Sequence, residues 1–353
     1  MQRKLATIQK IKDVAPVITG DGEVAENLEL VSFHDIGWQC VAKKGDFQHD
    51  DLAVYIEIST VLPEHPVFEF MRPRKFKVKT MRFLKTTLSQ GLVMPVSILK
   101  EFLPPGDEFF VVSRGDDVSE LLGVKRYDPE AMDNRTGGEQ LGSFPEHILP
   151  KTDQERIQSS PFLLDRMKEV EDVVATLKID GTSSTFYFED GVLHACGRNI
   201  EHRPGNGSVY WKIAAKYSLE QVLRDYPHIA IQGEIAAPGI QKNRLGLQEA
   251  ELFVFGVWDR RTNNFYPYAN MKSWCQSVGL QYVPMVRLWR YGEFKGETIE
   301  SLLELAKGNY KGTNNAREGL VIRPMYETLF DHRLGAALSF KVINNDYLLG
   351  GGE

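Results

Sequence analysis

Cysteine is scarce in this 353-residue chain. Cys40, Cys196 and Cys275 stand far apart, and none belongs to a CxxC pair. An odd count without that spacing argues against a disulfide framework and a structural zinc site, and fits a reduced cytoplasmic compartment. Long apolar runs are missing as well. No stretch approaches the roughly 18 residues of a membrane span, and mean hydropathy is −0.30. The opening residues MQRKLATIQKIKD carry no apolar block followed by small cleavage residues, so neither a secretory leader nor a membrane partner is expected. Neither sign of charge dominates. Against 42 basic residues stand 48 acidic ones, a net of −6. That balance does not announce a nucleic-acid binder, although a mean can hide a local basic stripe. The eight histidines show no recognisable metal or triad spacing.

What is present is globular: 42% hydrophobic and 25% charged residues. At roughly 150 residues per domain the length implies about two domains. The first third reads as short strands at Lys4–Lys12, Trp38–Ala42, Leu52–Ile58 and Gly91–Pro95 with turns between them, the pattern of a small barrel or sandwich. Residues 127–141 are polar and rich in Gly, Asp and Asn, and are expected to link a first domain, 1–126, to a second, 142–353. The second region alternates strands and helices. Strands are expected at Val173–Lys178, Thr185–Phe188, Val192–Cys196, Ile229–Glu234, Leu252–Trp258, Leu320–Ile322 and Leu338–Ile343. Helices are expected at Val209–Arg224 and Thr298–Lys307, with Thr298 as cap. Hairpins with interspersed helices indicate an α+β class.

Lys178-Ile179-Asp180-Gly181 places a lysine at the end of an apolar strand, just before a tight turn. There its side chain has little freedom to lose. A lysine with the ordinary pKa of about 10.4 is a poor nucleophile at neutral pH, and desolvation, a neighbouring cation or a metal can lower that value. A KxDG alone is common by chance. The small residues Thr182, Ser183 and Ser184 are expected to satisfy the turn. Further on come Arg198, Gly233-Glu234, the aromatic strand FVFGV around Phe255, EGLVI opening at Glu318, and Lys341 in FKV. Each has an ordinary reading as a surface charge or a core ring.

In this order the set resembles the covalent nucleotidyltransferase superfamily of polynucleotide ligases and mRNA capping enzymes. The resemblance runs from Lys178 to Lys341 over the motifs known as I, Ia, III, IIIa, IV and V. A narrower likeness joins it. GSFPEHILPKTDQERIQ (142–158) resembles the segment that opens the ligase domain in the Deinococcus/Naegleria-type RNA ligases. KLATI (4–8), VYIEI (54–58) and LSQGLVMP (88–95) resemble that family's N-terminal domain. In that family an OB-type barrel precedes the ligase domain, whereas in DNA ligases and capping enzymes it follows. Two departures stand out: Ile343 replaces the second lysine of a KxK motif V, and Gly256 the aspartate of FDI.

The resemblance implies an N-terminal OB-like barrel followed by an adenylyltransferase domain built on antiparallel sheets with flanking helices. It implies an ATP-dependent RNA ligase that joins 3′-hydroxyl and 5′-phosphate ends through lysyl-AMP and AMP-capped RNA, in repair or nick sealing. Lys178 would be the nucleophile. Arg198 would hold the α-phosphate or ribose, Glu234 the ribose or a metal, Phe255 the adenine and Lys341 the α-phosphate. Asp180, Glu234 and Glu318 would ligate Mg²⁺ or Mn²⁺. Lys151, Thr152, Arg156 and Gln158 are expected near the nucleotide. The partner would be RNA, including a nicked duplex, and the enzyme a monomer. Two other readings stay open: a capping-type guanylyltransferase or DNA ligase using the same lysine, and a catalytically inactive nucleic-acid-binding protein.

An RNA partner is also favoured by a basic stripe. Arg72, Arg74, Lys75, Lys77, Lys79, Arg82 and Lys85 lie in residues 72–85 without an acidic residue, and Phe76 and Phe83 are interleaved. Such cations would bind phosphates, and the rings could stack on bases.

Overall fold

The computed structural model describes residues 4–104, 111–127, 139–205 and 207–352. The chain forms two compact units. One comprises residues 1–131 with 158–161 and 348–353; the other comprises 132–157 and 162–347. Most of the expected linker lies outside the described residues. Its last residues do not behave as a linker, because the strand Gln140–Ser143 pairs with Ile200–His202.

In the first unit a five-stranded antiparallel sheet runs in the order Gln39–Lys43, Val24–Phe33, Ala6–Ile18, Leu52–Ile56, Leu92–Pro95. The long strand Ala6–Ile18 serves two neighbours. Ala6–Lys10 pair with Leu52–Ile56, and Ile11–Ile18 pair with Val24–Phe33. Register shifts at Ile11/Asp13 and Pro16/Ile18 bend it between them. The edge at Gln39–Lys43 is covered rather than left open. The Val41 N–H donates to Ser89 Oγ at 3.0 Å, and Gln39 Nε2 donates to the Leu88 carbonyl at 3.2 Å. Ala6, Ile8, Val54, Ile56, Phe68, Met71 and Leu99 fill the core. The strand Val24–Phe33 escapes the sequence pattern because Glu26, Asn27 and Glu29 dilute its apolar residues.

The second unit holds two sheets. The seven-stranded one runs Gln140–Ser143, Ile200–His202, Val192–Cys196, Thr182–Glu189, Ile229–Ala236, Glu251–Asp259, Asn264–Phe265. The five-stranded one runs Glu155–Arg156, Phe340–Ile343, Gly319–Pro324, Val173–Lys178, Met285–Trp289. Glu155–Arg156 lies parallel to its neighbour, and the other named pairs are antiparallel. Alternation along the five-stranded sheet sorts its residues. Val173, Ala175, Leu320, Ile322, Phe340, Val342 and Ile157 pack into one core with Phe162–Lys168 and Ile299–Ala306. Thr176, Lys178, Val321, Arg323, Lys341 and Arg156 therefore project from the opposite face. The hydroxyl of Thr298 caps Ile299–Ala306 as its sequence implies.

Two local readings differ from the sequence pattern. Thr182, Ser183 and Ser184 begin a strand instead of finishing a turn, and Ser184 Oγ donates to the Gly233 carbonyl at 3.0 Å. The single helix expected over 209–224 is two, Val209–Lys216 and Leu219–Asp225, broken where Ser218 takes φ +50°. Both pieces still point apolar residues, Ile213, Leu219 and Leu223, at one core, so the helical spacing survives the break.

Candidate active site

The strand Val173–Lys178 belongs to the five-stranded sheet, and Thr182–Glu189 to the seven-stranded sheet. Ile179-Asp180-Gly181 is the crossing between them. Lys178 pairs with Gly319 on one side of that crossing, and Thr182 pairs with Ile235 on the other. The crossing passes so close to the second sheet that a Cβ on Gly181 would lie 2.3 Å from the Ile235 carbonyl oxygen and 3.0 Å from Glu234 Cγ. A glycine is needed opposite as well. Gly319 takes φ +151°, and a Cβ there would sit 2.1 Å from the Val342 carbonyl oxygen. These close approaches bring KxDG, Gly233-Glu234 and Glu318-Gly319 to one place.

Lys178 Nζ lies 2.9 Å from Glu318 Oε1. Burial alone would push the lysine pKa down. The charges of Glu318, Glu234 and Asp180 outweigh it and hold the ammonium well above its ordinary value. The lowered lysine pKa that nucleophilic attack calls for is thus absent from the protein alone, because three carboxylates face the amine. Asp180 is buried too. Its Oδ1 accepts from the Tyr347 hydroxyl at 2.9 Å, and Arg244 Nε lies 3.3 Å from its Oδ2. Burial and Glu318 push its carboxyl up to about 6, against the opposing pull of Tyr347, Lys178 and Arg244. Arg244 also stacks over the Tyr347 ring at 4.5 Å. The charges of three carboxylates thus converge on Lys178, although their oxygens do not all lie within 4.8 Å of one another. Oxygen donors of this kind suit a hard divalent cation that is reached partly through water.

The other expected residues distribute as follows. Phe255 is the extra residue of a β-bulge, since Gln232 pairs with Gly256 and Gly233 with Val254. A bulge re-aims the side chain it carries. The Phe255 carbonyl accepts from Arg323 NH1 at 2.6 Å, which ties the two sheets together. Lys341 pairs with Val321 and with Arg156, on the same face as Lys178. Arg198 is held by Asp153, at 2.6 and 2.7 Å to its two carboxylate oxygens. Lys151 is exposed and pairs with Glu146 at 2.7 Å. Gln158 groups with the first unit, where its carbonyl accepts from the Gly37 N–H at 2.7 Å. Arg244, Tyr310, Arg323 and Tyr347 have no motif to single them out in the sequence.

In the first unit the basic stripe is only partly a surface feature. Arg72, Arg74, Lys75, Lys79, Arg82 and Lys85 are exposed. Lys77 is 7% exposed, with its Nζ 3.2 Å from the centre of the Tyr127 ring, and Phe76 is buried in the core. Neither is free to meet a nucleic acid. Arg72 is also engaged, with Glu64 and Glu69. Folding does gather His34, His49 and Asp50, whose ligand atoms lie within 4.8 Å of one another, although the sequence showed no such spacing. Asp50 already takes the Lys10 ammonium at 2.9 Å.

Comparison with known proteins decides the family. Residues 171–343 match the model of the RNA ligase family, and residues 5–96 match that of an OB-fold domain. No curated protein matches by sequence. Among solved structures, a lysine variant of the Naegleria gruberi RNA ligase with ATP and Mn is 30% identical, with a TM-score of 0.81 and 98% of each chain covered. The chain belongs to the RNA ligase family. The same Naegleria enzyme with pyrophosphate shares 29% identity with this ligase over 99% of each chain, at a TM-score of 0.81. A glutamate variant of it with AMP and Mn gives 29% and 0.80 over 98% of each chain. The ligase is α+β, with its OB-fold domain preceding the catalytic one, so the domain order read from the sequence is that of the Deinococcus/Naegleria type.

Proposed function

We propose that this RNA ligase uses ATP to join an RNA 3′-hydroxyl to a 5′-phosphate through a lysyl-AMP on Lys178. The observation that carries the reading is the placement of Lys178 Nζ against Glu318, within the field of Glu234 and Asp180, where the chain crosses between two sheets. The Naegleria relative is solved with ATP and Mn, with AMP and Mn, and with pyrophosphate, which are a substrate and the products of such a sequence.

In the first step the Lys178 lone pair forms a bond to the α-phosphorus of ATP. The bond from that phosphorus to the bridging oxygen breaks, and pyrophosphate leaves. The lysine must first shed its proton. A divalent cation, Mg²⁺ or Mn²⁺, held by Asp180, Glu234 and Glu318 directly or through water, would supply the positive charge that makes this loss easier and screens the phosphates. Arg198 and Lys341 bind phosphate oxygens, Arg198 after exchanging Asp153 for the nucleotide. Phe255 stacks on adenine. Glu234 accepts from ribose in the alternative to its metal role. In the second step an RNA 5′-phosphate oxygen takes the adenylyl group and the Lys178 amine leaves. In the third, a 3′-hydroxyl attacks the capped 5′-phosphorus and AMP leaves. Positioning and charge neutralisation do most of this work.

Residues 1–126 form the RNA-gripping domain, through the exposed cations between Arg72 and Lys85, and residues 142–353 form the catalytic domain. The enzyme acts as a monomer on broken or nicked RNA in the cytoplasm. Supporting that compartment, all three thiols are free and buried. Among the described residues no helix is long and apolar enough to cross a membrane. Incubation with α-labelled ATP or GTP tests the reading. Label is expected to stay on the protein from ATP and not from GTP, and to be released by RNA with a 5′-phosphate. Labelling from GTP alone would favour a capping-type transferase, and no labelling an inactive binder.

A further inference from the structure

Tyr310 lies in the turn that follows the helix Ile299–Ala306 and is 3% exposed. Its backbone is anchored. Its N–H donates to the Asn315 carbonyl at 3.0 Å, and its own carbonyl accepts from the Thr313 N–H at 3.1 Å and from Thr313 Oγ1 at 3.0 Å. Its hydroxyl reaches the crossing described above. It donates to the Lys178 carbonyl at 2.8 Å and accepts from the backbone N–H of Asp180 at 3.0 Å and of Glu318 at 3.2 Å. A phenol has one proton and two lone pairs, so its hydrogen-bonding capacity is fully used.

All three partners are backbone atoms of the residues that meet at the site. The ladder between Val173–Lys178 and Gly319–Pro324 ends at the pair Lys178–Gly319. Beyond it the two chains part, one toward Asp180 and the other back through Glu318. The Tyr310 oxygen stands where the next rung of that ladder would be. It keeps the backbones of Lys178 and Glu318 together after direct pairing has stopped. Its hydroxyl bonds run to the backbone and not to the charged side chains, so its effect is on their placement.

We propose that Tyr310 is a positioning residue for adenylylation: its hydroxyl holds the Lys178 and Glu318 backbones in the arrangement from which Nζ attacks. This rests on the reading of Lys178 as the nucleophile. The step that needs Lys178 as attacking group is the first, whereas sealing of an RNA already capped with AMP does not use its amine.

The test is Tyr310→Phe in the full chain, which keeps the ring and removes the hydroxyl. We expect lysyl-AMP formation at saturating ATP to fall at least about tenfold, the loss of roughly one good hydrogen bond's worth of positioning. KM for ATP is expected to stay within about twofold, and sealing of pre-adenylylated RNA to fall far less than the first step. Should the variant melt near the assay temperature, the ratio of the two steps is read at a lower one, because loss of folded protein lowers both alike. Wild-type rates in Tyr310→Phe, or equal losses in both steps, overturn the proposal while a wild-type adduct still stands. A wild-type chain that forms no adduct overturns the Lys178 reading and this proposal with it.

Discussion

The Lys178 ammonium and the Glu318 carboxylate are 2.9 Å apart, with the lysine at the last rung of its strand and the glutamate just before the glycine that pairs with it. A partly buried ion pair of this kind is poor evidence of stabilisation, since desolvation offsets most of the attraction. Its consequence is chemical. It stores a protonated amine in contact with the groups that must release it.

Asp180 gives the site a stability cost that depends on pH. Its carboxyl titrates near 6 in the fold, against 3.8 unperturbed, chiefly through burial and Glu318. The folded chain therefore binds this proton more tightly than the unfolded one. The stability it contributes is complete below pH 3.8 and is lost as pH rises through about 6. Asn removes the charge and can still accept from Tyr347. Without metal, Asp180→Asn is expected to be more stable than wild type by about 1–3 kcal/mol at pH 8, and nearly unchanged at pH 4, in urea unfolding. The same gain at both pH values contradicts the argument.

The crossing tolerates no side chain at Gly181. A Cβ 2.3 Å from a carbonyl oxygen forces the backbone of Gly181 or Ile235 to move. Gly181→Ala is expected to cost roughly 1–3 kcal/mol or more and to lower adenylylation along with it. A loss under about 0.5 kcal/mol, the size of an ordinary surface change, means the approach is looser than described.

The cations between Arg72 and Lys85 divide into two groups. Changing the exposed Arg74, Lys75 and Lys79 to Gln is expected to weaken RNA binding and flatten its dependence on log salt by about 2, at roughly 0.7 for each single-strand phosphate no longer neutralised. Lys77→Gln is expected to lower the melting temperature and leave that slope alone, because its charge sits over the Tyr127 ring. A reversed pattern in salt titrations and melts refutes the division.

Much of the fold and the site is legible in the sequence, and the exceptions share a cause. Val173–Lys178 can be read to the residue because a β-branched apolar run stops just before Asp180-Gly181. Lys178, Asp180, Glu234 and Glu318 are legible as an ordered set of motifs, and they do interact electrostatically. Tyr310 and Tyr347 are not, since they meet Asp180 from 130 and 167 residues away, and only folding gives them a role. The burial of Lys77 and Phe76 is hidden in the same way: charge density along a chain does not tell which side chain turns inward. The lysine's elevated pKa is hidden too, because burial alone points downward and only folding brings up the three carboxylates that outweigh it.

Adenylylation of Lys178→Ala is the most direct measurement of the central claim. Wild-type protein and the variant are incubated with α-labelled ATP and a divalent metal, denatured, and separated from free nucleotide. Label should remain bound to the wild type, on the tryptic peptide containing residue 178, and be absent from the variant. A variant that retains the covalent label shows that another residue carries the adenylyl group.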